Sequence, residues 1–202
     1  MNLLHIDSSI LGENSVSRSL SASIVERAKK LHPGISVTYR DLAADALPHL
    51  SPAHIAAWHG APADAALAAD LAVGGAIIDE LFAADIIVIG APMYNFTVPT
   101  QLKAWIDRSL IAGKTFKYTE AGPQSLLPPG KKVILGLSRG GFYGADTPAA
   151  AFEHQESYLR TALGFIGLTD VTVIRAEGIA MGPEARAAAI DLAQGEIAAL
   201  AA

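Results

Sequence analysis

The sequence predicts an α/β fold in which a doubly wound, five-stranded parallel sheet carries helices on both faces. Short apolar runs alternate with longer segments of helical spacing, the rhythm of βαβ units. One run, Asp85-Ile86-Ile87-Val88-Ile89-Gly90, is apolar and β-branched almost throughout, which suits a strand covered on both faces. The 202 residues fit one domain spanning 1–202, and 51% hydrophobic against 17% charged residues supports a buried core rather than a disordered chain.

The elements follow in order. Residues 2–6 read as a first strand, and Val16, Leu20, Ile24, Ala28 and Leu31 then recur at helical spacing up to Pro33-Gly34. A second strand is expected over 35–39, followed by loop with a short helix after Ser51-Pro52. Residues 65–82 are Ala/Leu-rich and helical, although Gly74-Gly75 interrupts them at a cost of up to ~1 kcal/mol each relative to Ala. After the strand at 85–90, Leu102, Trp105, Ile106 and Leu110 mark a helix. A fourth strand over 133–137, a helix over 152–166, a fifth strand over 171–174 and a helix over 184–200 complete the chain. Right-handed crossovers give the strand order 2-1-3-4-5. Residues 115–129 are too long for a tight turn. Thr115-Phe116-Lys117-Tyr118-Thr119 alternates with period two ahead of the turn signal Gly122-Pro123, so an edge hairpin is expected there.

Composition excludes several functions. A formal charge of −5 without a basic run gives no field for nucleic acid. The absence of cysteine removes disulfides, thiolate metal sites and Cys nucleophiles, and fits a reducing cytoplasm. Residues 1–7 lack the basic and apolar regions of a secretion signal, and no apolar stretch nears the ~20 residues of a membrane span. A cytoplasmic protein without membrane association is the expectation.

In an open parallel sheet, ligands bind beyond the carboxyl ends of the strands, and three unusual loops leave that end. The first, Asp7-Ser8-Ser9-Ile10-Leu11-Gly12-Glu13-Asn14-Ser15-Val16-Ser17, runs into a helix whose unpaired N–H groups suit a phosphate, with Ser9, Ser15 and Ser17 as added donors. Ser15 alternatively serves only as a helix N-cap, and the residues alone leave both open. The loop is neither G-x-G-x-x-G nor a Walker sequence. Arg18 is expected to be a solvated surface residue. The second loop, from Gly90 to Pro99, places Met93, Tyr94, Asn95 and Phe96 where backbone and rings press on a flat heterocycle, Asn95 offering both donor and acceptor. Tyr94 and Phe96 alternatively belong to the core or a subunit interface. The third loop, Ser138-Arg139-Gly140-Gly141-Phe142-Tyr143-Gly144, lets backbone approach a ligand closely at its paired glycines, or simply forms a flexible turn.

These stretches carry a resemblance. With Thr100-Gln101-Leu102-Lys103, Thr115 to Glu120, Leu163-Gly164-Phe165-Ile166-Gly167 and Ala176-Glu177-Gly178, they resemble, in collinear order over residues 3–182, the flavodoxin-like FMN-dependent NAD(P)H azoreductases, which are also NAD(P)H:quinone oxidoreductases. The resemblance implies that Ser9, Ser15, Val16 and Ser17 hold the FMN phosphate. It places Met93, Tyr94, Asn95 and Phe96 on one side of the isoalloxazine and Ser138, Arg139, Gly140 and Gly141 on the other. It further implies a homodimer with each site near the interface, and ping-pong transfer of two electrons from NAD(P)H to quinones and aromatic azo compounds. Phe116, Tyr118 and Trp58 are candidates for an aromatic acceptor wall. No Arg or Lys constellation is assignable to a 2′-phosphate, which favours NADH. No residue is expected to act as a catalytic acid or base, because the cofactor carries the chemistry. The rival readings are a one-electron flavodoxin, an acyl-carrier-protein phosphodiesterase-type hydrolase and a receiver domain. They lack, respectively, a dense acidic face, a metal cluster or G-x-S-x-G elbow, and an acidic pocket. No metal site is expected, and His54 and His59 are placed on a helix surface.

Overall fold

The computed structural model describes residues 1–201. Its main sheet is parallel, ordered β2-β1-β3-β6-β7. The strands are β1 (Asn2–Asp7), β2 (Ser36–Asp41), β3 (Ile86–Pro92), β6 (Lys132–Ser138) and β7 (Asp170–Ala176). Counted without the inserted hairpin, this is the expected 2-1-3-4-5. The helices are α1 (Val16–Leu31), α2 (Pro52–Trp58), α3 (Ala65–Ala83), α4 (Thr100–Ser109), α5 (Glu156–Phe165) and α6 (Pro183–Ala198).

Period-two alternation divides the buried side chains between two layers. Leu4, Ile6, Ile87 and Ile89 face a core completed by α3, α4 and α5, with Trp105 fully enclosed. Leu3, Ile86 and Val88 face the opposite core, closed by Leu20 and Ile24 of α1 and Ala193 and Ile197 of α6. The seven residues of β3 are all buried, as its uninterrupted apolar run requires.

One contact fixes α1 with unusual closeness. Gly90 of β3 and Gly136 of β6 are register partners, so two glycines lie side by side beneath the helix. A Cβ at Gly90 would run into the Asp7 carboxylate and lie 2.8 Å from Ser21 Oγ and 3.0 Å from the Ser17 carbonyl; one at Gly136 would lie 3.2 Å from Leu20 Cβ. The missing side chains let the first turns of α1 settle directly on the sheet backbone.

The expected hairpin exists, with one correction. Its strands are β4 (Phe116–Thr119) and β5 (Gly122–Ser125), and the pairing of Thr119 with Gly122 puts Gly122-Pro123 in the returning strand rather than the turn. A period-two reading cannot place a two-residue turn when a proline stands at an edge position that needs no N–H. The helix expected over 152–166 divides into a 3₁₀ turn at Ala150–Phe152 and α5, because Glu153 intervenes in extended conformation. Gly74-Gly75 does not break α3, whose end is held by Lys131 donating to the Phe82 and Ala84 carbonyls. Among the described residues, no helix is long and apolar enough to cross a membrane.

Candidate functional site

The sheet order reverses between β1 and β3, and the three loops converge over that point. In the first, a 3₁₀ turn at Gly12–Asn14 leads into Ser15, the extended N-cap of α1. Ser15 Oγ accepts from Arg18 N at 3.3 Å and lies 3.1 Å from Ser17 Oγ, both serines being buried. The N–H groups of Val16 and Ser17 have no acceptor among the described residues, as the opening of an α-helix leaves them. Ser15 therefore caps the helix, and its hydroxyl lies beside the free N–H groups of the first turn.

Arg18 is not a solvated residue. Its guanidinium donates to the Ser9 carbonyl at 2.8 and 3.1 Å and to both Asp41 oxygens at 2.6 Å. The hydrogen bond to Asp41 raises the Arg18 pKa, and the same pairing holds Asp41 down at about 2. Arg18 thus braces the serine loop against the end of β2. The partial positive charge beside that loop comes from the helix terminus.

The second loop crosses by a two-residue turn in which Tyr94 N and O pair with Thr97 O and N at 3.0 and 3.2 Å. Its central residues Asn95 and Phe96 have φ of 46° and 75°. Asn tolerates this left-handed region, whereas a bulky Phe there stores ~1–3 kcal/mol, a cost typical of ligand-binding turns. Phe96 stays exposed and packs on Tyr143 and Phe152, with ring centroids 6.3 and 5.4 Å apart. Tyr94 Oη joins this loop to the first, lying 3.2 Å from Ser9 Oγ and accepting from Ile10 N at 3.3 Å.

The third loop begins at buried Ser138, whose carbonyl accepts from Met93 N at 2.8 Å. Gly140 and Gly141 have no positive φ, and a Cβ on either would approach neighbours no closer than 3.4 Å. The chain's own packing does not demand glycine there, which leaves a low backbone face as the consequence. The Arg139 side chain points away from that face. Its guanidinium is 2% exposed and held by Glu177 at 2.9 Å, Gln155 at 3.0 Å, and Glu153 and Glu156 at 3.2 Å each. The Arg139 backbone is paired too, its N–H donating to the Ala176 carbonyl at 2.9 Å and its carbonyl accepting from Ile179 N at 3.1 Å.

The three aromatic wall candidates are not gathered with these loops. Phe116 is 6% exposed and packs edge-on against Phe165 at 4.7 Å. Tyr118, two residues on and so on the same face, packs edge-on against Phe116 at 5.4 Å yet stands out in solvent at 72% exposure. Trp58 lines a separate cavity of about 240 Å³ with residues of α3 and α4, among them Leu71, Gly75, Ile78 and Arg108.

His54 also departs from expectation. It is buried, its Nε2 lies 2.6 Å from Asp70 Oδ2, and its Nδ1 accepts from Ser51 N at 3.1 Å in the capping box that starts α2. Asp70 in turn pairs with Arg108, and although burial pushes its pKa up, His54 and Arg108 outweigh that and lower it. Asp70, at the start of α3, carried no sequence signal because its partners are distant in the chain. Among the described residues no group of three or more His, Cys, Asp or Glu is placed to hold a metal ion.

A helix start with free N–H groups and buried hydroxyls is tied through Tyr94 to the second loop, which Met93 N joins to the third, so all three loops meet at the switch point of a doubly wound sheet. The flavodoxin-like fold family model matches residues 1–201. A protein of Bradyrhizobium diazoefficiens named FMN-dependent NADH:quinone oxidoreductase 2 is 58% identical over 94% of each chain. The FMN-dependent NADH:quinone oxidoreductase of Xanthomonas campestris pv. campestris is 54% identical over 99% of each. Among solved structures, an azoreductase from Bacillus anthracis superposes with a TM-score of 0.86 at 30% identity over 98% of this chain and 97% of that one. An FMN-dependent NADH-azoreductase of the same species, in complex with FMN, gives 0.87 at 26% identity over 98% and 96%. The chain belongs to the flavodoxin-like family and is an oxidoreductase of that family.

Proposed function

We propose that the chain, as a single domain, binds FMN across the three loops and catalyses NADH-dependent two-electron reduction of quinones and aromatic azo compounds. The observation that carries the reading is the seat at the start of α1, where unpaired Val16 and Ser17 N–H groups and the Ser15 and Ser17 hydroxyls lie within one hydrogen-bonded framework with Tyr94. These groups suit a phosphate: they are donors, they are buried, and no carboxylate touches them. The names of the relatives support FMN as the phosphate's owner and NADH with quinone as the reactants.

Ser9, Ser15, Val16 and Ser17 hold the phosphate in this reading. Met93, Tyr94, Asn95 and Phe96 face one side of the isoalloxazine, and Ser138 with the backbone of Arg139, Gly140 and Gly141 faces the other. When bound, FMN supplies the two-electron chemistry. The chain's contribution is orientation: Asn95 offers its amide to the ring's polar edge, and Phe96, Tyr143 and Phe152 keep water from the ring. Nicotinamide and acceptor use the same place in turn, giving ping-pong kinetics, and intersecting steady-state lines would overturn that feature. Exposed Tyr118 and the Trp58 cavity lie outside the three loops. We assign them to the acceptor wall of a neighbouring copy in a cytoplasmic homodimer, which sedimentation would detect.

The deciding measurement is the visible spectrum of the purified protein titrated with FMN. A yellow complex is expected, and a protein that stays colourless after FMN addition and gel filtration overturns the assignment. Ser15→Ala and Ser17→Ala should each weaken FMN binding by about 0.5–1.5 kcal/mol while leaving riboflavin affinity unchanged. Equal losses for both flavins would place the phosphate elsewhere.

A further inference from the structure

The two ring-facing loops are tied at their bases by Met93 N donating to the Ser138 carbonyl, and a second tie comes from far along the chain. Gln155, fully buried, donates from Nε2 to the Ala91 carbonyl at 3.0 Å. Its Oε1 accepts from Arg139 Nε at 3.0 Å. Ala91 lies two residues before Met93, and Arg139 belongs to the third loop, so one amide spans both. The residues ahead of it join the same structure. His154 N donates to the Phe96 carbonyl at 3.0 Å, the His154 carbonyl accepts from Thr97 Oγ1 at 2.9 Å, and Glu153 accepts from Arg139.

The chemistry of this position is restrictive. Arg139 is donor-only and the Ala91 carbonyl acceptor-only, so the bridge needs one acceptor and one donor on a short planar group. Reversing the amide would set N–H against N–H and oxygen against oxygen. A glutamate would face the Ala91 carbonyl with a second acceptor, and a leucine would leave both neighbours without a partner. The Gln155 side chain makes no cap bond to α5, so helix capping does not account for it.

Resting on the FMN reading above, we propose that Gln155 is a positioning residue that sets the gap between the two loops facing the isoalloxazine. Arg139 and the strained turn at Asn95–Phe96 are held in one frame through it, and the ring's environment is fixed before any ligand arrives. The bridge acts first on the ring, because Gln155, Ala91 and Arg139 make no bond to the helix start at residues 15–17, and Tyr94 of the second loop touches only Ser9 and Ile10 of the first.

The test compares FMN with riboflavin, which carries the ring without the phosphate. In Gln155→Leu, affinity for both flavins should fall by the same factor, about tenfold or more, so that their ratio stays at the wild-type value. The visible band of the bound flavin and its reduction potential should shift as well. Ser17→Ala, acting at the phosphate, should change the ratio instead. Wild-type riboflavin affinity, spectrum and potential in the folded Gln155→Leu protein would overturn the proposal, as would a loss confined to FMN. Should that variant fail to fold, Gln155→Glu keeps the size of the side chain and the acceptor for Arg139, and the same ratio and spectrum decide. Failure of the wild-type protein to bind either flavin would overturn the functional reading and this inference together. A wild-type protein that binds both flavins, with variants that show no defect, overturns the inference alone.

Discussion

The two ends of the candidate site are held by different physics. At the serine end, position comes mainly from close packing: α1 rests on the Gly90 and Gly136 pair, with the ion pair of Arg18 and Asp41 bracing the loop ahead of it. At the ring end, position comes from charge. Arg139 sits among Glu153, Glu156 and Glu177, with Gln155 relaying to β3, and a left-handed turn stores strain opposite. Packing against backbone fixes a helix terminus and tolerates no added atom. A charge network fixes a loop while letting its ligand-facing side remain bare, at the risk of losing much if one member goes.

That contrast orders the expected effects. Arg139→Met should be the largest, because it leaves three neighbouring carboxylates without their shared cation; breaking such a buried set costs about 3–5 kcal/mol. Urea unfolding would show it, and a loss under 1 kcal/mol would mean that the network is ornamental to the fold. Gly90→Ala comes next, at about 1–3 kcal/mol from overpacking against the Asp7 carboxylate and the Ser17 carbonyl. It should also reduce FMN affinity more than riboflavin affinity, since it displaces the start of α1. If the ratio of the two holds, the glycine seat does not position the phosphate.

Acid should reveal the smallest difference, since both ends carry depressed carboxyls, Asp41 at the serine end and Glu153 and Glu156 at the other. Asp41 is held at about 2 chiefly by Arg18. Glu156 is pushed up by burial but brought to about 2 by Arg175 and Arg160. A depressed folded-state pKa contributes stability that is complete above the ordinary carboxylate range near ~4 and is lost as pH falls from there toward 2. Unfolding free energy should be level from neutral pH to about 5 and decline below about 4, less steeply in Glu156→Gln. A level curve down to pH 3 would count against both pairs.

The sheet, its order and the six helices are legible because period-two and helical spacings, and the Ser51-Pro52 start of α2, are local properties of the chain. The serine loop and the Met93 to Phe96 turn were legible for a related reason, since each is a contiguous stretch with composition foreign to a plain connector. The supports of the site were not. Gly90 looked like the end of a β-branched run, and nothing in the sequence says that α1 lands on it beside Gly136. Arg18 was read as solvated because Asp41, its partner, lies at the end of another strand. Gln155 had no signal at all: a single polar residue before a helix is ordinary, and its two partners stand 64 and 16 positions away. Phe116 and Tyr118 share a face of β4, as their spacing predicts, but the strand leaves the core after its first residue, so one ring is buried and the other meets solvent.

The paired glycines beneath α1 also bear on the order in which the molecule is completed. Residues 9–17 leave the ribosome early, but the seat that holds their helix is shared between β3 and β6, so it does not exist until residue 136 has been made and β6 has docked. Two thirds of the chain must be synthesised before the start of α1 takes its place. On the proposed assignment, FMN loading belongs to the finished sheet and not to the nascent chain.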